Sequence, residues 1–217
     1  TRFLLQNNNW KGLVLDGNRE HISYIKNDSI YWKYNIKAEH AFINRENIND
    51  LISKNGISGD IGLLSIDIDG NDYWVWEAIN CINPRIVICE YNSIFGSEEK
   101  ISVPYKHDFI WTKEHYSNLY WGASLPALEF LGIKKGYKLI GVNSAGNNAF
   151  FVREDLATDL NIKTAKEFYI KSSFRQSRNK NNKLTYLTES EGILLLAKKL
   201  VQFVETNEIT TIEKIFN

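Results

Sequence analysis

Two apolar runs limit what this chain can become. IGLLSIDID, residues 61 to 69, and PRIVICEYN, residues 84 to 92, are almost uninterrupted apolar stretches that end in acidic or amide residues. Strands covered on both faces read this way, whereas half-solvated strands alternate. Between them, GNDYWVWEAIN, residues 70 to 80, turns into a helix. Strand, helix, strand at this spacing is a crossover unit of a parallel sheet, right-handed by the general rule.

The flanking sequence extends the alternation. Residues 1 to 8 fit a helix end, and 11 to 16 a strand. Residues 19 to 34 suit a helix or a helix plus loop, with Ile22, Ile25, Ile30 and Trp32 among polar neighbours. Residues 37 to 43 alternate as a strand does, and 44 to 56 form a helix with Asn44 as its cap and Gly56 as its stop. A long irregular region, 93 to 120, precedes a helix over 124 to 136. Residues 137 to 154 read as a hairpin with SAGNN as its loop, and 189 to 206 as a final helix. The expected fold is α/β. A Rossmann-like, doubly wound, mostly parallel sheet ending in an antiparallel hairpin occupies residues 1 to 155, and a helical C-terminal extension occupies 156 to 217.

Charge and apolar runs exclude some partners. The net charge is +0 and the pI about 6.9, so general electrostatic attraction to nucleic acid or an anionic membrane is not expected. No apolar run approaches the roughly 20 residues of a membrane span. Cys81 and Cys89 lie among apolar neighbours, as reduced core thiols of a cytoplasmic protein do. A homo-oligomer is compatible with all of this.

The chemistry gathers at strand tips. In an open α/β sheet, ligands sit beyond the carboxyl ends of the strands. Three such tips carry acid or amide groups: Asp16-Gly17-Asn18, Asp67-Ile68-Asp69 and Glu90-Tyr91-Asn92. An acid at the second strand of a dinucleotide-type fold holds a ribose and lies about 20 residues after a glycine-rich turn. Counting back from Asp16 places that turn before Thr1, which makes GLVLDGN the second strand of a domain incomplete at its N-terminus. The competing reading is that Asp16-Gly17 is only a favoured turn pair.

Asp67 and Asp69 alternate by two, so they share a face while the strand lasts. Side-by-side carboxylates repel unless a cation, a proton or a donor intervenes. Oxygen ligands such as Asp67, Asp69, Glu90 and Asn92 suit Mg²⁺, while metal-free acid/base chemistry needs only the carboxylates. Capping of the helix near Asp72 by Asp69 or Asn71 is the bland alternative. His107 and His115, in an aromatic-rich segment, are further candidates for a base. The tryptophans of YWVW are expected in the core. The basic run Arg175, Arg178, Lys180 and Lys183 reads as a phosphate site or, more simply, a solvated loop.

These segments together resemble a family. GLVLDGN, IGLLSIDIDGNDYWVW, PRIVICEYN, GASLPAL and GYKLIGVNSAGNNAFFVR look like the FkbM-like, class I S-adenosylmethionine-dependent methyltransferases, over residues 1 to about 155. IDIDGND resembles that family's ID-x-EG-x-E block, with Asp69 in place of the usual Glu. The resemblance is closest to a subgroup encoded near surface-polysaccharide genes. It implies S-adenosylmethionine held by Asp16, Gly17, Asn18 and Asp67. It implies O-methylation of a sugar or sugar-derived hydroxyl, such as a capsule or lipopolysaccharide precursor, by Asp67, Asp69, Glu90, His107 or His115. An NAD-dependent oxidoreductase and a non-catalytic binding or assembly module are the alternatives.

Overall fold

A computed structural model describes residues 2–173 and 176–216 of the chain. In order, the elements are α1 (Arg2–Asn8), β1 (Gly12–Asp16), α2 (Arg19–Asn27), α3 (Ser29–Lys33), β2 (Ile36–His40), α4 (Ile48–Lys54), β3 (Gly59–Ile66), α5 (Asp72–Ala78) and β4 (Ile82–Glu90). They continue with β5 (Ile101–Ser102), α6 (Trp111–Glu114), α7 (Leu125–Lys134), β6 (Tyr137–Val142), β7 (Asn148–Arg153), α8 (Ala165–Phe168), α9 (Glu189–Leu195), β8 (Leu200–Phe203) and β9 (Ile209–Thr211). The chain is α/β with mixed sheets. No helix among the described residues is long and apolar enough to cross a membrane.

The crossover expected between the two apolar runs is present: β3 and β4 are parallel neighbours, joined through α5. The hairpin β6–β7 then adds antiparallel to β4, giving the order β3-β4-β7-β6. Its loop turns at Gly146 (φ +76°), and Asn143 Oδ1 accepts the backbone N–H groups of residues 146 to 148. β1 and β2 form a separate parallel pair. Trp10, just before β1, lies over Gly62 of β3, where a Cβ would come within 2.5 Å of the indole. At the other end, the charge of Asp16 acts on Asp69, just past β3. β1 and β3 therefore run in the same direction, although no ladder joins them.

The main core lies on one face of the four-stranded sheet. Val87, Cys89, Phe151 and Leu139 point into it from the strands, and Trp76, Leu128 and Leu131 meet them from the helices. Ser124 caps α7 by accepting the N–H of Ala127, and Gly132 lets that helix approach Phe151, which a Cβ would touch at 3.0 Å. Both tryptophans of YWVW are buried, as expected. Trp76 packs against Tyr137 and Phe151, and Trp74 donates its indole N–H to Val103 O. Cys89 is fully buried and Cys81 half-buried, both unbridged.

The opposite face departs from the expectation of a sheet covered on both sides. Leu63 pairs with Ile86 and Ile88 with Phe150 on that face, yet Ile86 is 38% exposed. Apolar runs declare that a strand is central, and they do not say that both layers over it are built from neighbouring sequence.

Two further expectations change. Residues 19 to 34 make two helices, because Asp28 ends α2 and its carboxylate caps α3 at Ile30 N. The final helix is shorter than expected. α9 stops at Leu195, and residues 200 to 203 form β8, which pairs with β5 on one side and β9 on the other. The extension after residue 155 is therefore not purely helical. LVQF alternates, and burying Val201 against Ile101, Phe95 and Ile212 outweighs continuing the helix.

Candidate functional site

The tips of β3 and β4 bring the acids together. One carboxylate oxygen from each of Asp67, Asp69 and Glu90 lies within 4.8 Å of the others. The shared strand face was expected to do this, but β3 ends at Ile66, earlier than that reading. The cause is Asp72, the first residue of α5. Its side chain is fully buried and accepts the N–H groups of Ile68 and Gly70, each at 2.9 Å. Those bonds curl residues 67 to 71 into a loop, with Asp69 in the left-handed region at φ 55°. Neither Asp69 nor Asn71 caps the helix with its side chain. Asn71 donates to Lys106 O instead. Asp72 was missed at the sequence level, where its DG-N-D context reads only as a turn leading into a helix.

Glu90 is the most enclosed member, 9% exposed. Its Oε1 accepts from Asn147 at 3.3 Å, and its Oε2 is buried without a partner. Burial first, then the charges of Asp67, Asp72 and Asp69, push its pKa up to about 9. Burial likewise raises Asp67 and Asp69, the latter also through its acidic neighbours, and lifts Asp72 to about 6 against the pull of its two amides. An acid whose folded pKa exceeds its unfolded value contributes stability that is full below the unfolded pKa and fades as pH rises toward the folded one. The melting temperature should therefore fall between about pH 5 and pH 9, and Glu90→Gln should flatten that slope in thermal-shift measurements. An unchanged slope would show that Glu90 ionises normally.

Asn92, expected as a ligand, has a backbone role. Its Oδ1 accepts from Ile94 N, and its NH₂ donates to the carbonyls of Leu119 and Trp121. It faces the pocket as wall and leaves the ligand set to the carboxylates. The histidines are not brought to the cluster either. His107 is exposed and shares a ring nitrogen contact with Asn44 at 3.1 Å. His115 contacts Ser117 Oγ at 2.7 Å and is lowered in pKa by burial and by Lys199. Tyr120 is buried and donates to Leu200 O. Arg178 donates to Asn182 O, as a loop residue does, while Arg175 lies outside the described residues.

At the tip of β1, Asp16 accepts the N–H of Asn18 at 2.7 Å and meets His21 Nδ1 at 3.0 Å. Asn18 caps α2 through Glu20 N, and Gly17 passes near Ala41 O. Locally DGN is a turn, with its acid at the tip of β1. Next to the cluster opens a pocket of about 500 Å³, lined by Asp69 and Glu90 on one side and by Trp111, Trp121 and residues of the tail on the others.

No protein-family profile, curated protein or solved structure matches this chain.

Proposed function

We propose that the chain is an S-adenosylmethionine-dependent O-methyltransferase acting on a hydroxyl of a sugar-derived acceptor. The observation that carries this reading is the convergence of Asp67, Asp69 and Glu90 beside a pocket at the carboxyl ends of parallel strands. In this reading the β2-β1 pair and the β3-β4-β7-β6 sheet are two halves of one doubly wound sheet. Their shared direction, and tips close enough for Asp16 to act on Asp69, support it. The crevice between the halves is then the cofactor site.

Methyl transfer is a displacement in line with the sulfonium, so most of the catalysis is alignment. The cofactor supplies the activated methyl group. Asp16 holds the ribose end, and the loop fastened by Asp72 fixes the distance from Asp16 to the reacting acids. The acceptor hydroxyl meets Glu90 at the pocket floor. Ionised, Glu90 takes the hydroxyl proton, and its raised pKa makes it a stronger base than an ordinary carboxylate. Asp67, Asp69 and Glu90 also fit a divalent cation, since they offer three oxygens and one of them is buried without a donor. Mg²⁺ held there would lower the acceptor's pKa.

Calorimetry with S-adenosylhomocysteine and with NAD tests the cofactor. S-adenosylhomocysteine should bind more tightly, and a preference for NAD would turn the reading to an oxidoreductase. Asp16→Ala should weaken the bound cofactor by about 1–3 kcal/mol, because ribose hydroxyls then lose their acceptor. Unchanged affinity would remove Asp16 from the site.

A further inference from the structure

The two oxygens of Glu90 stand in different surroundings. Oε1 accepts a side-chain N–H of Asn147 at 3.3 Å, while Oε2 is buried without a partner among the described residues. The donor comes from the loop of the β6–β7 hairpin, which closes beside the tip of β4. Tyr91 N donates to Asn147 O at 2.8 Å and sets the loop against that tip. The tail straps the same region from the other side. Tyr91 Oη donates to Ile170 O at 2.7 Å, Ser172 N donates to Ser93 Oγ at 3.0 Å, and Ser173 N donates to Ala145 O at 2.9 Å. Gly146 lets the loop lie directly on this strap, since a Cβ there would come within 2.6 Å of Lys171 O.

An amide side chain can meet a carboxyl with either end, as donor or as acceptor, and its other partners decide which. Here the decision goes back to the backbone. Asn143 Oδ1 accepts the N–H groups of Gly146, Asn147 and Asn148, each at 3.1 Å. Backbone N–H groups only donate, so the end of Asn143 that faces them is its oxygen. Asn143 Nδ2 is thereby turned to Asn147 Oδ1, to which it donates at 2.8 Å. Asn147 must then present Nδ2 to Glu90. Three backbone amides thus fix two side-chain amides in series, and the second of these occupies one oxygen of the acid. A protonated carboxyl that accepts at Oε1 carries its proton on Oε2, and an ionised one keeps Oε2 as the oxygen open to a proton.

We propose that Asn147 is a positioning residue for Glu90 and that Asn143 locks it in that role: the pair keeps Oε1 turned to the hairpin loop and leaves Oε2 to exchange a proton with the acceptor. The inference rests on Glu90 being the base of the proposed reaction. In that step the acceptor O–H bond breaks and its proton goes to Oε2. The electron pair left on the acceptor oxygen forms the bond to the methyl carbon as the carbon–sulfur bond of the cofactor breaks. Neither asparagine touches the reacting atoms. Without them the carboxyl could turn either oxygen to the loop, and partners that orient a reacting group in this way matter nearly as much as the group itself.

The test is the infrared spectrum of the full chain at mildly acidic pH, where Glu90 holds its proton, with no cofactor or acceptor present. The carboxyl C=O stretch that disappears in Glu90→Gln belongs to Glu90. A carbonyl that accepts a hydrogen bond stretches at lower frequency than a free one. Asn147→Leu removes the donor and nearly keeps the size, so the band should move to higher frequency. Asn143→Asp is the second variant. Its carboxylate still accepts the three loop N–H groups, so the turn is kept, but it has no N–H to give Asn147 Oδ1. The Asn147 amide should then turn round and Oε1 should become the donor. The band should again move to higher frequency, because the carbonyl oxygen is now the unpartnered Oε2. Circular dichroism checks that the variants fold. A folded variant whose band stays in place or moves to lower frequency, or the lack of any band that Glu90→Gln removes, would overturn the proposal. The infrared readout needs no cofactor. A failure of S-adenosylhomocysteine to bind the wild type therefore counts against the reaction alone, while an unmoved band counts against the positioning role alone.

Discussion

Asp67→Asn and Glu90→Gln should each lower methyl-transfer turnover by about a hundredfold or more, the scale of a lost proton acceptor. Cofactor affinity should change far less, because neither variant touches the Asp16 end of the crevice. Both substitutions keep the side-chain volume and remove only an ionisable group, so a folding defect is not the expected cause of a loss. The pH profile adds a second reading. If Glu90 is the base, turnover should rise with pH toward the neighbourhood of 9, where its buried carboxyl ionises. Glu90→Gln should abolish that limb. EDTA followed by restored Mg²⁺ separates the two uses of the cluster. Activity that survives EDTA assigns the proton to Glu90, and activity lost and then restored assigns the cluster to the metal. Near-normal turnover in both variants would make the acids structural. The other bases considered, His107 and His115, each hold a protein partner.

The largest stability effect is expected at Trp76. The ring is 1% exposed and is wedged between Tyr137 and Phe151, with centroids at 6.0 and 4.8 Å. Trp76→Ala leaves a hole that helix α7 cannot close, because Gly132 already brings it against Phe151. The loss should be roughly 3–5 kcal/mol. At this chain length each kcal/mol moves the melting temperature by about 2–4 °C. Trp32, 73% exposed, is the control, and Trp32→Ala should stay within about 0.5 kcal/mol. Chemical denaturation of the three proteins decides it, and a Trp76→Ala midpoint equal to the control's would place the core elsewhere.

Much of the frame could be read before any coordinates. β3, β4, α7 and the β6–β7 hairpin announce themselves because their patterns are long, apolar and bounded by glycine or asparagine. The meeting of Asp67, Asp69 and Glu90 was readable for a related reason: acids at the ends of parallel neighbours share one edge of the sheet. What stayed hidden depends on pairing across distance. β8 looks like more helix because nothing local reveals that residues 101 and 102 wait for it. The work of Asp72 was invisible because a carboxylate that accepts two loop amides has the same spelling as one that merely opens a helix. The pocket's tail wall was hidden in the same way, since Lys171 and Glu189 meet only after the chain has crossed the sheet.

That crossing also has a temporal side. Tyr91 and Ile170 are 79 residues apart, as are Ser93 and Ser172. During synthesis the strand tips are made well before the segment that straps them. Pairings this distant form late, after the local units have collapsed. A growing chain thus carries the three acids on an open edge, bathed by water, for as long as those intervening residues take to emerge. The tail wall of the pocket is the last part of it to be made, and it is the first that a nick between residues 155 and 169 would loosen.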